Sequence, residues 1–189
     1  MTSRENLAVI LTIVLGIFAI NIHARSWDIA IAIGREVEFL AQNQTLIGQA
    51  KLAEAVTLSG VAYDDITRTM YFSDVSNKNI TIFSNDLEDK NFTLKPLLKK
   101  QSKSYILALA FDIKSRTLFW SDALQGVIMK MHVSEDGLPE EPTILHNLTY
   151  QSPRGIALDV CNRCAIYVLP RTLPCPFTTT CNLDRSSSV

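Results

Sequence analysis

Carboxylates, hydroxyls and arginines recur in this chain at near-fixed intervals, and these side chains set its chemical options. Asp64, Asp112 and Asp159 each stand four residues before an arginine, Arg68, Arg116 and Arg163. Ser73-Asp74 and Ser121-Asp122 each follow an aromatic pair, Tyr71-Phe72 and Phe119-Trp120. A carboxylate at a strand end can hold turn amides or pair with an arginine of a neighbouring unit. The sharper alternative is that these tetrads bind a ligand. The adjacent acids Asp64-Asp65 and Glu140-Glu141 fall at turns, where a solvated surface explains them more economically than acid/base catalysis. Of the three histidines, His132 and His146 lie in apolar runs and read as packed or edge residues, and His23 lies near the N-terminus. The chain has no Gly-x-Ser-x-Gly elbow and no glycine-rich phosphate loop. A net charge of −1, without a basic stripe, argues against a nucleic-acid groove. No catalytic, cofactor-binding or metal-binding residue is assigned.

The elements that must position these groups repeat. Gly60-Val-Ala-Tyr-Asp64, Ala108-Leu-Ala-Phe-Asp112 and Gly155-Ile-Ala-Leu-Asp159 share one pattern at offsets of 48 and 47 residues. Such a period is the signature of stacked units. Each copy has a short apolar run ending at the Asp, a polar break, and a second apolar run after the Arg, which is a hairpin signal. Third runs follow at 79–83 and 127–131, and fourth runs at 92–97 and 142–148. Four short β-branched runs in about 48 residues are the spacing of a β-propeller blade. Ala62, Ala110 and Ala157 occupy one position of the first run, as small residues should where innermost strands converge on an axis. Consecutive strand residues point to opposite faces. Phe72 or Trp120 should therefore fill one inter-blade layer, and Tyr71 or Phe119 the other. The third copy carries Ile166 and Tyr167 where the aromatic pair belongs, then Val168 and Leu169 in place of hydroxyl and carboxylate.

At the tetrads the sequence resembles the YWTD, or class B, repeats of the low-density lipoprotein receptor family. Asp64, Arg68, Tyr71, Phe72, Ser73 and Asp74 carry the resemblance in one repeat, and Asp112, Arg116, Phe119, Trp120, Ser121 and Asp122 in the next. Within that family it is similar to the insect cueball proteins, through Trp27 to Ile33, Glu36 to Leu40 and Asp159 to Arg163. The resemblance covers roughly residues 27–163. It implies a six-bladed propeller ectodomain of a single-pass membrane glycoprotein, with a part in germ-cell development.

The expected fold is all-β, a partial and open YWTD-type propeller of about three to four antiparallel four-stranded blades. Residues 1–24 read as a secretory signal, 25–163 as the partial propeller and 164–189 as a divergent Cys/Pro-rich tail. The first blade is partial, over 27–50. Asn43, Asn91, Asn147 and Asn79 are N-glycosylation acceptors. Asn79 is the least suited, since it opens a strand whose two faces should both be packed. Cys161, Cys164, Cys175 and Cys181 favour disulfides in a secreted chain, with three pairings open. The functional expectation is a secreted, non-enzymatic module that meets an extracellular or membrane protein ligand. The alternatives are a truncated inactive product, and a calcium-dependent propeller hydrolase. The hydrolase would need axis-facing carboxylates, where the first strands carry Ala and Gly.

Overall fold

The computed structural model describes residues 17–19, 27–89, 92–100, 103–148, 151–162, 164–168, 177–181 and 183. Asn91, Arg163, Cys175 and most of the segment read as a signal lie outside them. Fifteen strands form four antiparallel sheets among the described residues, with no helix. The first sheet is β1 (Ile17–Ala19), β2 (Ile29–Ile33), β3 (Glu36–Leu40) and β4 (Leu46–Lys51). Next come β5 (Leu58–Asp64), β6 (Thr69–Asp74), β7 (Ile80–Asp86) and β8 (Lys95–Lys99). The third comprises β9 (Ile106–Asp112), β10 (Thr117–Asp122), β11 (Val127–His132) and β12 (Thr143–Asn147). The fourth comprises β13 (Gly155–Asp159), β14 (Cys164–Val168) and β15 (Phe177–Cys181). Each sheet runs outward in chain order. Packing of β5 on β9 and of β9 on β13 makes the first strand of each repeat innermost. This is the partial propeller that the repeat spacing implies.

Two boundaries differ from the sequence reading. β1 lies within residues 1–24 and pairs with β2, so the first sheet begins before the partial blade expected over 27–50. At the other end the fourth sheet runs across the 163/164 boundary. Cys164-Ala-Ile-Tyr-Val168 and Phe177-Thr-Thr-Thr-Cys181 are both rich in β-formers, and they pair in register with Cys164 opposite Cys181. Those two residues form a disulfide, and Cys161 is an exposed free thiol. The bond excludes the two pairings that separate Cys164 from Cys181, and the third would also need Cys161 bonded, which it is not.

Close approach at the axis is visible at Gly60. A Cβ there would lie 2.8 Å from Ser73 Oγ and 3.0 Å from the Ala108 Cα. Ala62, Ala108 and Ala110 are buried, whereas Ala157, on the last described blade, is only half-buried. Aromatic alternation fills the seams as expected. Tyr71 stacks on Phe111 of the third blade at 5.1 Å, while Phe72 faces Phe92 at 6.5 Å on the other side of its sheet. Trp120 belongs to the core that spans the first two seams, and its neighbour Phe119 to the core shared with Ile156 and Tyr167 of the fourth blade. His146 packs against Tyr167 at 5.9 Å, as a packed histidine should.

Ser73 and Ser121 offer a direct comparison. The Ser73 hydroxyl accepts from the Gly60 amide at 2.8 Å and meets Ser59 Oγ at 2.9 Å. Ser59 in turn donates to Ile106 O on the next blade. In the third blade Leu107 stands in the place of Ser59, and the Ser121 hydroxyl is buried without a partner. Ser73→Ala is therefore expected to destabilise by about 1–2 kcal/mol, and Ser121→Ala to be neutral or mildly stabilising. Urea melts of both variants check the contrast; equal losses would mean that Ser121 has a partner in solution.

Candidate interaction face and its carboxylate scaffold

Propeller loops lie at two ends of the blades, and in this chain each end is organised by its own set of aspartates. At the end where the tetrads finish, Asp74 Oδ2 accepts from the Val56 amide at 2.6 Å. Its Oδ1 accepts from the amides of Thr57, Ser76 and Asn77 at 2.9–3.0 Å. Asp122 repeats the arrangement with the Ser104 hydroxyl at 2.7 Å and the amides of Tyr105, Leu124 and Gln125 at 3.0–3.1 Å. Each carboxylate thus ties the segment entering its blade to the loop leaving its second strand. Both are buried and hydrogen-bonded several times over, which suits a carboxylate kept away from water. The choice left open by the sequence, turn amides or a neighbouring arginine, falls to the turn amides.

The arginine pairing occurs at the opposite end. Asp64 is fully buried and makes a short ion pair with Arg116 of the next blade. It also receives the Ile66 amide at 3.0 Å and the Thr67 hydroxyl. Arg116 lies over the Phe111 ring at 5.3 Å and donates to the carbonyls of Val133 and Ser134 at 3.3 and 3.2 Å. Arg68 and Arg116 both adopt left-handed backbone, with φ of 54° and 53°. That conformation is costly for a residue with a Cβ. At Arg116 the ion pair, the ring contact and the carbonyl bonds offset it. Arg68 pairs instead with the exposed Glu88 at 2.7 Å. Asp112 holds the Lys114 amide at 3.0 Å and the Ser115 hydroxyl at 2.7 Å. Asp159 is half-buried, and the Asn162 side chain and then its amide hold this carboxyl below the usual carboxylate range.

Tyr71 sits beside the Asp64–Arg116 pair. Burial, reinforced by Asp64 and partly offset by Arg116, pushes its phenol from 10.0 to about 12. A raised folded-state value favours the neutral phenol, so its contribution to stability is complete below pH 10 and is lost as pH rises toward 12. An ultraviolet titration should show one of the five tyrosines ionising last, together with unfolding. Tyr71→Phe should remove that late step. Its persistence in the variant would assign it to another tyrosine.

The tetrad-end rim exposes a mixed surface on this rigid base. Val56, Tyr105 and Leu124 are 38%, 42% and 63% exposed, with Lys78, Lys103 and Gln125 around them. The first-blade turn at Gly34-Arg35 joins the same rim, since Gly34 O accepts from the Leu58 amide. Gly126 closes the 123–126 loop with φ of 67°, and a Cβ there would lie 2.7 Å from Gln151 O. Among the glycan acceptors, Asn43 is exposed on the β3–β4 turn and Asn147 is exposed at the end of β12. Asn79 is also exposed, contrary to the packed setting expected for it, because β7 begins one residue later at Ile80. No cluster of three or more His, Cys, Asp or Glu suited to a metal ion occurs among the described residues. No helix among them is long and apolar enough to cross a membrane.

No protein-family profile matches the chain. Among curated proteins it is 30% identical over 142 residues to protein cueball of Drosophila ananassae, covering 72% of this chain and 22% of the relative. To protein cueball of Drosophila sechellia it is 28% identical over 165 residues, covering 85% and 25%. The chain thus spans about a quarter or less of the length of these relatives. Its fold is shared with a chain of the nidogen/laminin complex, at a TM-score of 0.56 and 22% identity over 73% of this chain and 51% of that one. It is shared also with the PQQ-bound aldose sugar dehydrogenase of Streptomyces coelicolor, at a TM-score of 0.55 and 10% identity over 71% and 46%. With its tetrads at the blade seams and its aspartates tying the loops, the chain has a YWTD-type β-propeller fold and is a relative of the insect cueball proteins.

Proposed function

We propose that the chain is an extracellular, N-glycosylated interaction module that meets a protein partner through the tetrad-end rim. The observation that carries this reading is how the repeat carboxylates are used. Asp64, Asp74, Asp112 and Asp122 are buried and engaged in turns and blade-to-blade contacts, and the rim that Asp74 and Asp122 tie down exposes Val56, Tyr105 and Leu124. A pre-ordered surface with apolar anchors spends little entropy on docking, which favours a binding role. The relationship to the cueball proteins supports a cell-surface or secreted location and a part in germ-cell development. The exposed Asn43, Asn79 and Asn147, with Asn91, are the proposed acceptors. Residues 1–24 are the proposed signal, and cleavage there would take β1 away from the β2 edge.

Expression of the chain in insect cells tests the reading. We expect secretion, a mass that falls on glycosidase treatment, and saturable binding to ovarian or testicular cells by flow cytometry. Tyr105→Ala with Leu124→Glu should weaken that binding by about tenfold or more, as loss of central anchors does. Ile66→Ser, at the opposite end, should not. Retention inside the cell, or binding unchanged by the rim variant, would refute the proposal.

A further inference from the structure

The acceptor sequons Asn79-Ile-Thr81 and Asn43-Gln-Thr45 differ in where their third residue lies. In the first-blade turn all three positions are exposed. At the second blade Asn79 is exposed, Ile80 is half-buried, and Thr81 is 1% exposed inside β7. The Thr81 hydroxyl is buried with no hydrogen-bond partner. Such an atom is uncommon and costly. Valine would fill the space without that cost, but it would erase the acceptor, which is read through a hydroxyl at its third position.

The backbone of this sequon is committed as well. Asn77 Oδ1 accepts from the amides of Asn79 and Ile80 at 2.9 and 3.0 Å. The Asn79 carbonyl accepts from the Lys100 amide at 2.8 Å, and Ile80 pairs with Lys99 of β8. An enzyme that must hold the acceptor in its own groove and reach the Thr81 hydroxyl has to peel β7 from its neighbours first. The same loop belongs to the tetrad-end rim. Asp74 Oδ1 accepts from the amides of both Thr57 and Asn77, and the Asn77 side chain donates to Glu54 O at 3.1 Å. Asn79 thus stands on the loop that is laced to the segment carrying Val56. Asn43, on the β3–β4 turn, lies at the opposite end of its blade, one strand away from the Gly34 contact with the rim. An N-linked glycan is bulky and solubilising, so it covers the surface beside its root.

We propose that Asn79 is a folding-gated glycosylation site whose glycan shields the Val56 side of the tetrad-end rim. Before β7 joins its sheet, the Asn79 side-chain nitrogen attacks the anomeric carbon of a lipid-linked oligosaccharyl diphosphate. A C–N bond forms as the C–O bond to phosphate breaks. The nitrogen gives one proton to a base of the transferase, and the lipid diphosphate leaves with the bonding pair. Once β7 has paired, Thr81 is out of reach and the site stays bare. The chain therefore leaves the cell in two forms, one with the rim open and one with it covered, in a ratio set by how fast the second blade folds. The shielding rests on the reading of this rim as the interaction face, and the gating does not.

A transfer assay tests the gating. Full chain made without glycans in bacteria is given a purified single-subunit oligosaccharyltransferase and lipid-linked oligosaccharide, and occupancy is read by peptide mass spectrometry. Folded chain should be modified at Asn43, and about tenfold or more slowly at Asn79, since only the locally open fraction reacts there. A synthetic peptide of residues 74–86 should be modified at Asn79 readily. Equal rates at the two sites of the folded chain, or an inert peptide, would overturn the gating. For the shielding, chain secreted by insect cells is separated into bound and unbound fractions on ovarian or testicular cells. The bound fraction should be depleted severalfold in Asn79 glycan, with Asn43 glycan equal in both. Thr81→Val, which removes the acceptor and keeps the side-chain shape, should bind better than the wild-type mixture. Secreted chain uniformly bare or uniformly glycosylated at Asn79 would overturn the two-form state. An even spread of Asn79 glycan, in chain whose binding is still lost with Tyr105→Ala and Leu124→Glu, would overturn the shielding and leave the rim reading standing. Binding that ignores that rim variant would sink the rim reading and the shielding together, while the transfer assay decides the gating by itself.

Discussion

Trp120→Ala is expected to destabilise the fold by about 3–5 kcal/mol, the range for deleting a large buried aromatic side chain. Trp120 is 2% exposed and belongs to a core that is continuous across the first two seams, with Phe72, Met70 and Met131 among its members. Removing it opens a cavity between blades that are joined by side-chain packing and a few polar bridges rather than by shared strand ladders. Backbone ladders hold β9 to β12 together and cannot close that gap. Phe72→Ala, at the equivalent position and fully buried, should behave alike. Leu124→Ala, 63% exposed on the rim, should change stability by less than about 0.5 kcal/mol. Denaturant melts of the three variants decide the matter. A Trp120→Ala loss under about 1 kcal/mol would show that the blades do not depend on their seams.

Much of this architecture was legible because one physical rule repeats. Period-two alternation around Tyr71-Phe72 and Phe119-Trp120 assigns each ring to a face, and the 48-residue offset assigns each face to a seam. Small residues at 60, 62, 108 and 110 marked the axis, where Gly60 has no room for a Cβ. What stayed hidden depends on partners far apart in the chain. The pattern could not say which aspartate meets an arginine, because Asp64 and Asp74 carry the same side chain. Strand direction decides it, putting Asp64 at the end of the blade where the next repeat's Arg116 arrives and Asp74 among turn amides. The last strand was obscured by the Pro- and Cys-rich stretch before it, although Phe177-Thr-Thr-Thr-Cys181 has the composition of a strand. Burial of Asn79 was misjudged by one residue of strand length.

Arg116→Ala is expected to cost about 3–5 kcal/mol, for a reason different from lost packing. Asp64 is fully exposed to neither water nor a second cation: its side chain is 0% exposed and that of Arg116 only 11%. Deleting the guanidinium leaves a carboxylate in the seam with only the Ile66 amide and the Thr67 hydroxyl to stabilise it. It also frees the carbonyls of Val133 and Ser134 and exposes the Phe111 face. Asp64→Asn alone keeps a polar acceptor for Ile66 but leaves a buried guanidinium without its counter-charge. The pair Asp64→Asn with Arg116→Met removes both charges while an aliphatic side chain still covers Phe111. Since a buried ion pair contributes little beyond what a well-packed apolar replacement supplies, the double variant should recover a large part of the loss. A double-mutant cycle by urea denaturation measures the coupling, expected at about 1–3 kcal/mol. Strict additivity would mean that the two charges do not sense each other across the seam, and that the second and third blades are held by their core packing and the Ser59–Ile106 bond instead.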